Sequence, residues 1–392
     1  MIVAIAGGNL QGVEATYLAS KAGWTTLVVD KRPQAPASGL CDHFFQIDVV
    51  NSEEALLNAI KGADFILPAL ENQAALAALV CFSQKQGIPL AFDTDAYAIS
   101  SSKGISDALF QEKNIPAPLP WPRCGFPAMG KPDSDSGSHG ITLFHDSGEY
   151  DGFLEKFGKR PDVLQEYVEG PFYSMEVLGM SGKYIALQNT QLFMDDVHDC
   201  CRVTAPVPFS QELTAEFIQI SQELTAEFIQ ISLDLARAVN LKGIMDVEVI
   251  LHKGCLKVLE IDARLPSQTP TAVFHSTGIN MVALLGDIFV HKSLSVQVLP
   301  PCPAWVSYEH VSVSDQGVSC QGEHIMAIDE PLKLVKNLFG ADEVITNYRE
   351  GKRNFVATLI NTAPSAKDLE IKRKAVFNAI SEQIGVKGRP YF

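Results

Sequence analysis

Five short runs of aliphatic and β-branched residues, Ile2 to Ala6, Thr25 to Asp30, Phe44 to Val49, Asp64 to Pro68 and Leu90 to Asp93, alternate with helical patterns along the first quarter of the chain. Strand and helix alternating at this spacing predict a parallel sheet with covering helices. The expected fold class is therefore α/β, with a Rossmann-like layer over residues 1–95. The helix after the third run opens Asn51-Ser52-Glu53-Glu54, which predicts a cap from Asn51 and a return bond from Glu54. In open sheets of this kind ligands bind at the carboxyl ends of the strands. Gln11, Asp30, Asp48 and Glu71 lie there, with Asn9 and Val49 beside them. Asn9, Asp30, Asp48 and Val49 are the nucleotide-side candidates, and a carboxylate at Glu71 suits an ammonium group. The first turn, Gly7-Gly8-Asn9-Leu10-Gln11-Gly12, is a dinucleotide fingerprint whose middle glycine is replaced by Asn9. A nicotinamide-dependent dehydrogenase is thus a rival reading, weakened because that glycine lets a pyrophosphate approach the backbone.

At 392 residues the chain suits two or three domains, expected at 1–95, 96–298 and 299–392. A formal charge of −15 repels a polyanion, which argues against nucleic acid as a principal partner and is compatible with cationic substrates. Apolar runs such as Leu76 to Val80 are far too short to cross a membrane, and the N-terminus reads as a first strand rather than a signal peptide. A cytoplasmic protein is expected. Cysteines at 41, 81, 124, 200, 201, 255, 302 and 320 show no C-x-x-C pair and read as reduced, mostly buried thiols.

The middle of the chain carries the chemistry. Lys131 ends a predicted strand and is followed by a Ser/Gly-rich stretch to Gly140 that includes Ser138. A cation with free backbone N–H groups meets the needs of a polyphosphate, although a flexible hairpin has the same composition. Val163 to Gly170 is a strand running into a glycine turn, a hinge able to offer backbone groups of Gln165, Glu166 and Val168 to an adenine edge. Gly243 to Ile250 and Leu256 to Arg264 form two adjacent strands, and period-two alternation places Asp246 with Glu248 and Glu260 with Asp262 and Arg264 on shared faces. Acids interleaved with Val, Ile and Leu are too costly to bury without partners. Magnesium, which takes oxygen ligands and substrate phosphates, is the natural one, on Glu248, Glu260 and Asp262.

Lys103 at a helix start, Ile115-Pro116-Ala117-Pro118, Lys131 with its loop, the hinge at Gln165 to Val168, Glu248 and the Glu260-x-Asp262-x-Arg264 motif occur in the order seen in ATP-grasp ligases, which the chain resembles. The common form of the last motif has Asn where Asp262 stands. More narrowly, Gly8 to Gly12, Leu67-Pro68 with Glu71-Asn72, Asp199-Cys200, Lys242 to Glu248 and Pro266 to Pro270 resemble the amide-forming ligases of pyrrolysine biosynthesis. The resemblance implies an ATP-grasp fold between the parallel-sheet domain and a small α+β C-terminal domain. It implies ATP and Mg²⁺, with Lys103, Lys131 and Ser138 on the phosphates and Arg264 steadying an acyl phosphate. It also implies L-lysine and 3-methyl-D-ornithine as substrates, the first held by Leu10, Gln11 and Glu71, the second by Ser267, Gln268 and Thr269, with Asp199 as candidate proton acceptor. Phe172 stands where related ligases place a ribose-binding Glu. A homodimer is compatible with it, and the rivals outside this substrate pair are another amino-acid ligase and a non-catalytic amino-acid-binding protein.

Residues 210–220 recur without change at 221–231. Leu213, Phe217, Ile220, Leu224, Phe228, Ile231 and Leu235 make one helical stripe, and eleven residues are close to three turns. The duplication is expected to lengthen one helix by about 16 Å at 1.5 Å per residue. Beyond residue 300, strands at Ala304 to Tyr308 and Phe355 to Ile360 and a helix around Lys372 to Ile384 read as scaffold, with Glu309 the one functional candidate.

Overall fold

A computed structural model of the chain describes residues 1–133, 140–207, 215–295 and 304–385. Packing groups them into two compact units, Met1–Phe92 with Leu192–Val207 and Leu265–Phe392, and Asp93–Gln191 with Pro208–Arg264. The first boundary falls beside the expected one near 95. Residues 192–207 and 265–295, assigned by sequence to the middle domain, pack with the first unit.

The first unit begins as the alternation predicts, with β1 (Ile2–Ala6), α1 (Leu10–Lys21), β2 (Thr25–Asp30), β3 (His43–Gln46), α2 (Glu53–Ala59), β4 (Phe65–Pro68) and α3 (Gln73–Gln86). The sheet is parallel in the order β3-β2-β1-β4, and Ala4, Leu27, Val29, Ile66, Leu79 and Phe82 form the core of one face. Two local expectations are corrected. Leu90 makes one bridge to Ile66 rather than opening a strand, because the chain turns into the next helix at Asp93. Ser52, without a side-chain bond, stands at the cap of α2, while Asn51 donates its amide to Asp48 at 2.8 Å.

The second unit contains α4 (Thr94–Ser100), α5 (Lys103–Glu112), β5 (Ala128–Lys131), β6 (Thr142–Phe144), α6 (Ser147–Phe157), β7 (Val163–Glu166), β8 (Phe172–Met180) and β9 (Lys183–Ala186). The small antiparallel sheet β6-β5-β7 ends Lys131 on its central strand. After β10 (Thr190–Met194) and β11 (Cys200–Ala205), the chain returns through α7 (Ala215–Ala238) to the hairpin of β12 (Gly243–His252) and β13 (Cys255–Asp262). β12 lies antiparallel between β8 and β13, with α7 packed on β8 and β9.

The first unit is completed by α8 (Thr269–Thr277), α9 (Met281–Gly286), β14 (Trp305–Ser314), β15 (Gly317–Cys320), β16 (Lys333–Lys336), β17 (Glu343–Thr346), β18 (Phe355–Ala363) and α10 (Ala366–Ile384). Here β11-β14-β18-β17-β16 is antiparallel, and α10 seals it with Val376, Phe377 and Ile380. Arg373 of α10 donates to both oxygens of the buried Glu309 at 2.8 and 2.6 Å, so Glu309 has a structural partner. Among the described residues no single helix is long and apolar enough to cross a membrane. Of the seven described cysteines, all free, only Cys201 is buried, and Cys81 and Cys255 are exposed. The expectation of mostly buried thiols is therefore corrected.

The described part of the duplication, from Ala215 to Ile231, lies on one helix, α7. Leu224, Phe228, Ile231 and Leu235 are buried, whereas Ile220 is 41% exposed where its repeat counterpart Ile231 is 6%. Leu213 and the side chain of Phe217 lie outside the described residues. Because the copies are identical and eleven residues are close to three turns, deleting 221–231 keeps the apolar stripe in register and is expected to leave the melting temperature within a few degrees and turnover within about threefold. A collapse of either, measured by thermal melt and ADP release, would give the second copy a role.

Candidate active site

β12 and β13 hold Asp246 opposite Asp262 and Glu248 opposite Glu260. Directly opposed residues of an antiparallel pair face the same side with Cβ atoms about 5 Å apart, so four carboxylates share one face. Just past Glu248 the register shifts and Leu259 becomes an extra residue, a bulge that ends the acidic pairing. Burial pushes the Glu248 carboxyl well above its ordinary range. Glu260, Asp246 and Asp262 push the same way, and Arg264 opposes them. Burial likewise raises Asp246 to about 6, against a hydrogen bond donated by Ser174.

Two of the acids have cationic neighbours, Arg264 Nη2 at 2.7 Å from Asp262 Oδ2 and Lys103 Nζ at 3.9 Å from Glu260 Oε2. Among the described residues no three His, Cys, Asp or Glu side chains stand close enough to enclose a metal. Glu248, Glu260 and Asp262 are thus aligned but not gathered into a cage. Magnesium commonly uses one or two carboxylates and completes its shell with water and substrate phosphates. An oxygen-only set whose members repel one another when ionised fits such an ion.

Lys103 and Lys131 come from different elements, and Asp133 ties them together. Its carbonyl accepts the Lys103 N–H at 3.0 Å, and its carboxylate accepts Gly104 N–H at 2.8 Å and the Ser102 hydroxyl at 3.0 Å. Ser102 caps the same helix turn by accepting from Ile105 N–H. Burial lowers the pKa of Lys131, opposed by Glu260 and Asp107. Asp107, one turn along α5 from Lys103, is raised by burial to about 6, with Lys131 and Lys103 pulling it down. Sequence reasoning missed Asp107 and Asp133. The signals were the i,i+4 spacing from Lys103 and the acid two residues past Lys131. Ser138 lies outside the described residues.

At the hinge, Gln165 is buried and the Glu166 N–H is already bonded to Leu119 O at 2.8 Å. The Glu166 carboxylate accepts from Lys257 and from Leu119 N–H, which hold its pKa low against the upward push of burial. Glu166 therefore anchors the hinge through backbone and side chain alike. Val168 follows in the irregular stretch before β8, and Phe172, first in that strand, sits opposite Ile250.

In the first unit Gly7 adopts φ +109°, and a Cβ there would strike Ala69 O. Asp30 accepts the Gly8 N–H at 2.7 Å and that of Arg32 at 2.8 Å, so its carboxylate secures the turn. Asn9 precedes α1 with its Oδ1 buried and unpartnered among the described residues. Asp48 is half-buried and accepts the Val50 N–H, while Val49 packs on the sheet core. Gln11 and Glu71 do meet, Nε2 to Oε1 at 2.9 Å. Leu10 and Ser267 line a common small cavity, and Gln268 and Thr269 are buried beside it at the start of α8. Asp199 accepts from His324 N–H at 3.2 Å and pairs with the His324 ring. Sequence reasoning also missed Glu14, fully buried on α1 and raised to about 7 mainly by burial, and His324.

Family models match in two places, the N-terminal domain of the PylC-like type over residues 3–91 and the ATP-grasp domain over 107–268. The 3-methyl-D-ornithine–L-lysine ligase of Methanosarcina barkeri is 37% identical over 328 residues, 83% of this chain and 84% of that protein. The chain belongs to the 3-methyl-D-ornithine–L-lysine ligase family. As an ATP-grasp ligase it is an enzyme that forms C–N bonds. Solved structures agree on the fold. Biotin carboxylase from Campylobacter jejuni aligns with a TM-score of 0.72 at 13% identity, covering 98% of this chain and 94% of its own. The L-amino acid ligase from Bacillus licheniformis aligns with 0.67 at 15% identity, covering 95% and 96%. The dehydrogenase and the non-catalytic sensor are thereby set aside.

Proposed function

We propose that this ligase joins the carboxylate of (3R)-3-methyl-D-ornithine to the ε-amine of L-lysine in pyrrolysine biosynthesis, using ATP and Mg²⁺. The 37% identity spread over 83% of the chain is the observation that supports this most. A carboxylate oxygen attacks the γ-phosphorus and ADP leaves. The amine then attacks the acyl carbon and inorganic phosphate leaves. Lys103 and Lys131 bind the phosphates, with Ser138 beside the γ-phosphate, and Asp133 fixes the two lysines relative to each other. Arg264 orients the acyl phosphate. Glu248, Glu260 and Asp262 are the residues that would hold Mg²⁺, which when bound neutralises phosphate charge. Leu10, Gln11 and Glu71 hold lysine, Ser267 to Thr269 line the ornithine side, and the hinge at Gln165 to Val168 takes the adenine. The amine, whose unperturbed pKa is about 10.4, gives its proton to Asp199, which is joined to His324.

The test is ADP release with lysine plus 3-methyl-D-ornithine, with mass spectrometry of the product. Release that depends on both amino acids and an amide product are expected, and absence of the amide under saturating Mg-ATP would overturn the substrate assignment. Lys131→Met should lower turnover by about 10²–10³-fold, the scale for losing one preorganised charge donor. Wild-type rates in that variant would remove Lys131 from the phosphate site.

A further inference from the structure

The hairpin that carries the acidic pairs also grips the hinge. β12 ends at His252, and the two-residue turn that follows, Lys253 and Gly254, has φ 51° and 83°, the doubly positive form that matches the twist of an antiparallel pair. His252 pairs with Cys255 across that turn, which fixes its place on the strand. Alternation along β12 puts His252 on the face of Asp246 and Glu248, four residues beyond the latter and so about 13 Å from it at 3.3 Å per residue. The residue is 9% exposed. Its Nδ1 lies 3.0 Å from the Glu169 nitrogen and 2.9 Å from the Glu169 oxygen. With its hydrogen on Nε2 the ring accepts the Glu169 N–H, and with it on Nδ1 the ring donates to the carbonyl, so either tautomer holds the same residue.

The turn after the hinge admits this contact. Gly170 has φ +152°, and a Cβ there would stand 2.0 Å from Leu251 O, so only glycine lets β12 come this close. Leu251 N–H then bonds to Pro171 O at 3.0 Å. On the other side, Glu166 N–H bonds to Leu119 O at 2.8 Å and Tyr167 N–H to Pro127 O at 3.3 Å. Of the four consecutive N–H groups from Glu166 to Glu169, three therefore have partners in the protein. The Val168 N–H between them has no acceptor among the described residues. Val168 is half-buried, and a backbone donor in such a place takes its acceptor from solvent or from a ligand.

Adenine presents N1 as a lone-pair acceptor, whereas guanine carries a hydrogen there. We propose that His252 is a positioning residue for base recognition, holding Glu169 so that the Val168 N–H stays presented to the N1 edge of adenine. The proposal rests on the reading above that the hinge takes the adenine, and adds which side chain sets that hinge. His252 acts through the Glu169 backbone rather than through a contact of its own with the base. Hydrogen bonds weaken steeply with misalignment, so an unheld turn loses its choice of base before the site loses its hold on the phosphates.

Calorimetric binding of ADP and 1-deaza-ADP, which differs only in having C–H in place of N1, to the full chain with Mg²⁺ tests the two steps separately. The wild type should bind ADP about tenfold more tightly, the scale of one net hydrogen bond. His252→Leu should bring that ratio to about twofold by weakening ADP while leaving 1-deaza-ADP unchanged. His252→Asn, whose amide reaches the place of Nδ1, should keep the wild-type ratio. His252→Gln, whose longer side chain carries the amide past that place, should lose the ratio as Leu does, and it stays polar if the Leu variant does not fold. A wild type that binds both nucleotides equally would take the base off the Val168 N–H, and the clamp would fall with the hinge. A wild-type preference that survives in the Leu and Gln variants would overturn the clamp alone and keep the hinge. Equal weakening of both ligands, or a loss that Asn shares, would also overturn it, leaving His252 a residue of the fold. Because no amino acid is present, each outcome is independent of the substrate pair.

Discussion

Glu260→Gln is expected to lower turnover about 10³-fold while raising the melting temperature of the metal-free protein by roughly 2 °C. The two effects share one cause. Glu260 faces Glu248 across the β12–β13 pair and is the largest charged contributor to the raised pKa of that carboxyl. When both are ionised they repel, and a dication with phosphate oxygens removes the repulsion. Gln keeps the shape and one acceptor but removes the charge, so the metal-free hairpin relaxes while phosphate-bound metal loses an anionic ligand. Little stability is lost with the Lys103 contact, since at 3.9 Å and with Glu260 47% exposed it is a weak surface pair. Thermal melts in EDTA and ADP release under saturating Mg-ATP measure the two sides. Near-normal turnover would misplace the metal, and a clear drop in melting temperature would mean the opposed acids are not in conflict.

The acidic hairpin was legible because its information is local. Period-two alternation fixes which of Asp246, Glu248, Glu260 and Asp262 share a face, and a hairpin fixes which strand is the partner. The parallel sheet was legible for the same reason, since each strand and helix carries its own pattern. Residues whose roles depend on contacts distant in sequence were not. Asp133 acts through Lys103 and Gly104, 29 to 30 residues earlier, and nothing within either segment announces the other. Asp30 reads as a nucleotide-side acid because it ends the second strand, and its bonds to Gly8 and Arg32 are not announced by that position. Asp199 is a candidate proton acceptor by resemblance, and its partner His324 lies 125 residues on. Leu90 to Asp93 has the composition of a strand, and the Asp93 cap of α4 cut it short. Propensity gives way wherever a tertiary bond satisfies the backbone better than the ladder does.

Glu14→Gln is expected to stabilise the metal- and substrate-free protein by about 3 kcal/mol above pH 7 and to leave stability nearly unchanged below about pH 4.5. Glu14 is 1% exposed on α1 and accepts the Thr271 N–H at 2.6 Å, at the start of α8. That bond favours the ionised form, but burial outweighs it, and Glu323 adds repulsion, so the folded-state pKa rises from 4.5 to about 7. Below pH 4.5 the carboxyl is protonated in both folded and unfolded chains and contributes no pH dependence. Between pH 4.5 and 7 the unfolded chain releases the proton while the folded one retains it, so stability falls as pH rises. Above pH 7 the full penalty stands. Gln retains an oxygen for Thr271 N–H and cannot ionise, so the variant should lack this decline. Urea unfolding at pH 4.5, 6 and 8 separates the cases. A variant less stable than wild type at pH 8 would show that the bond to α8 outweighs the desolvation of the charge.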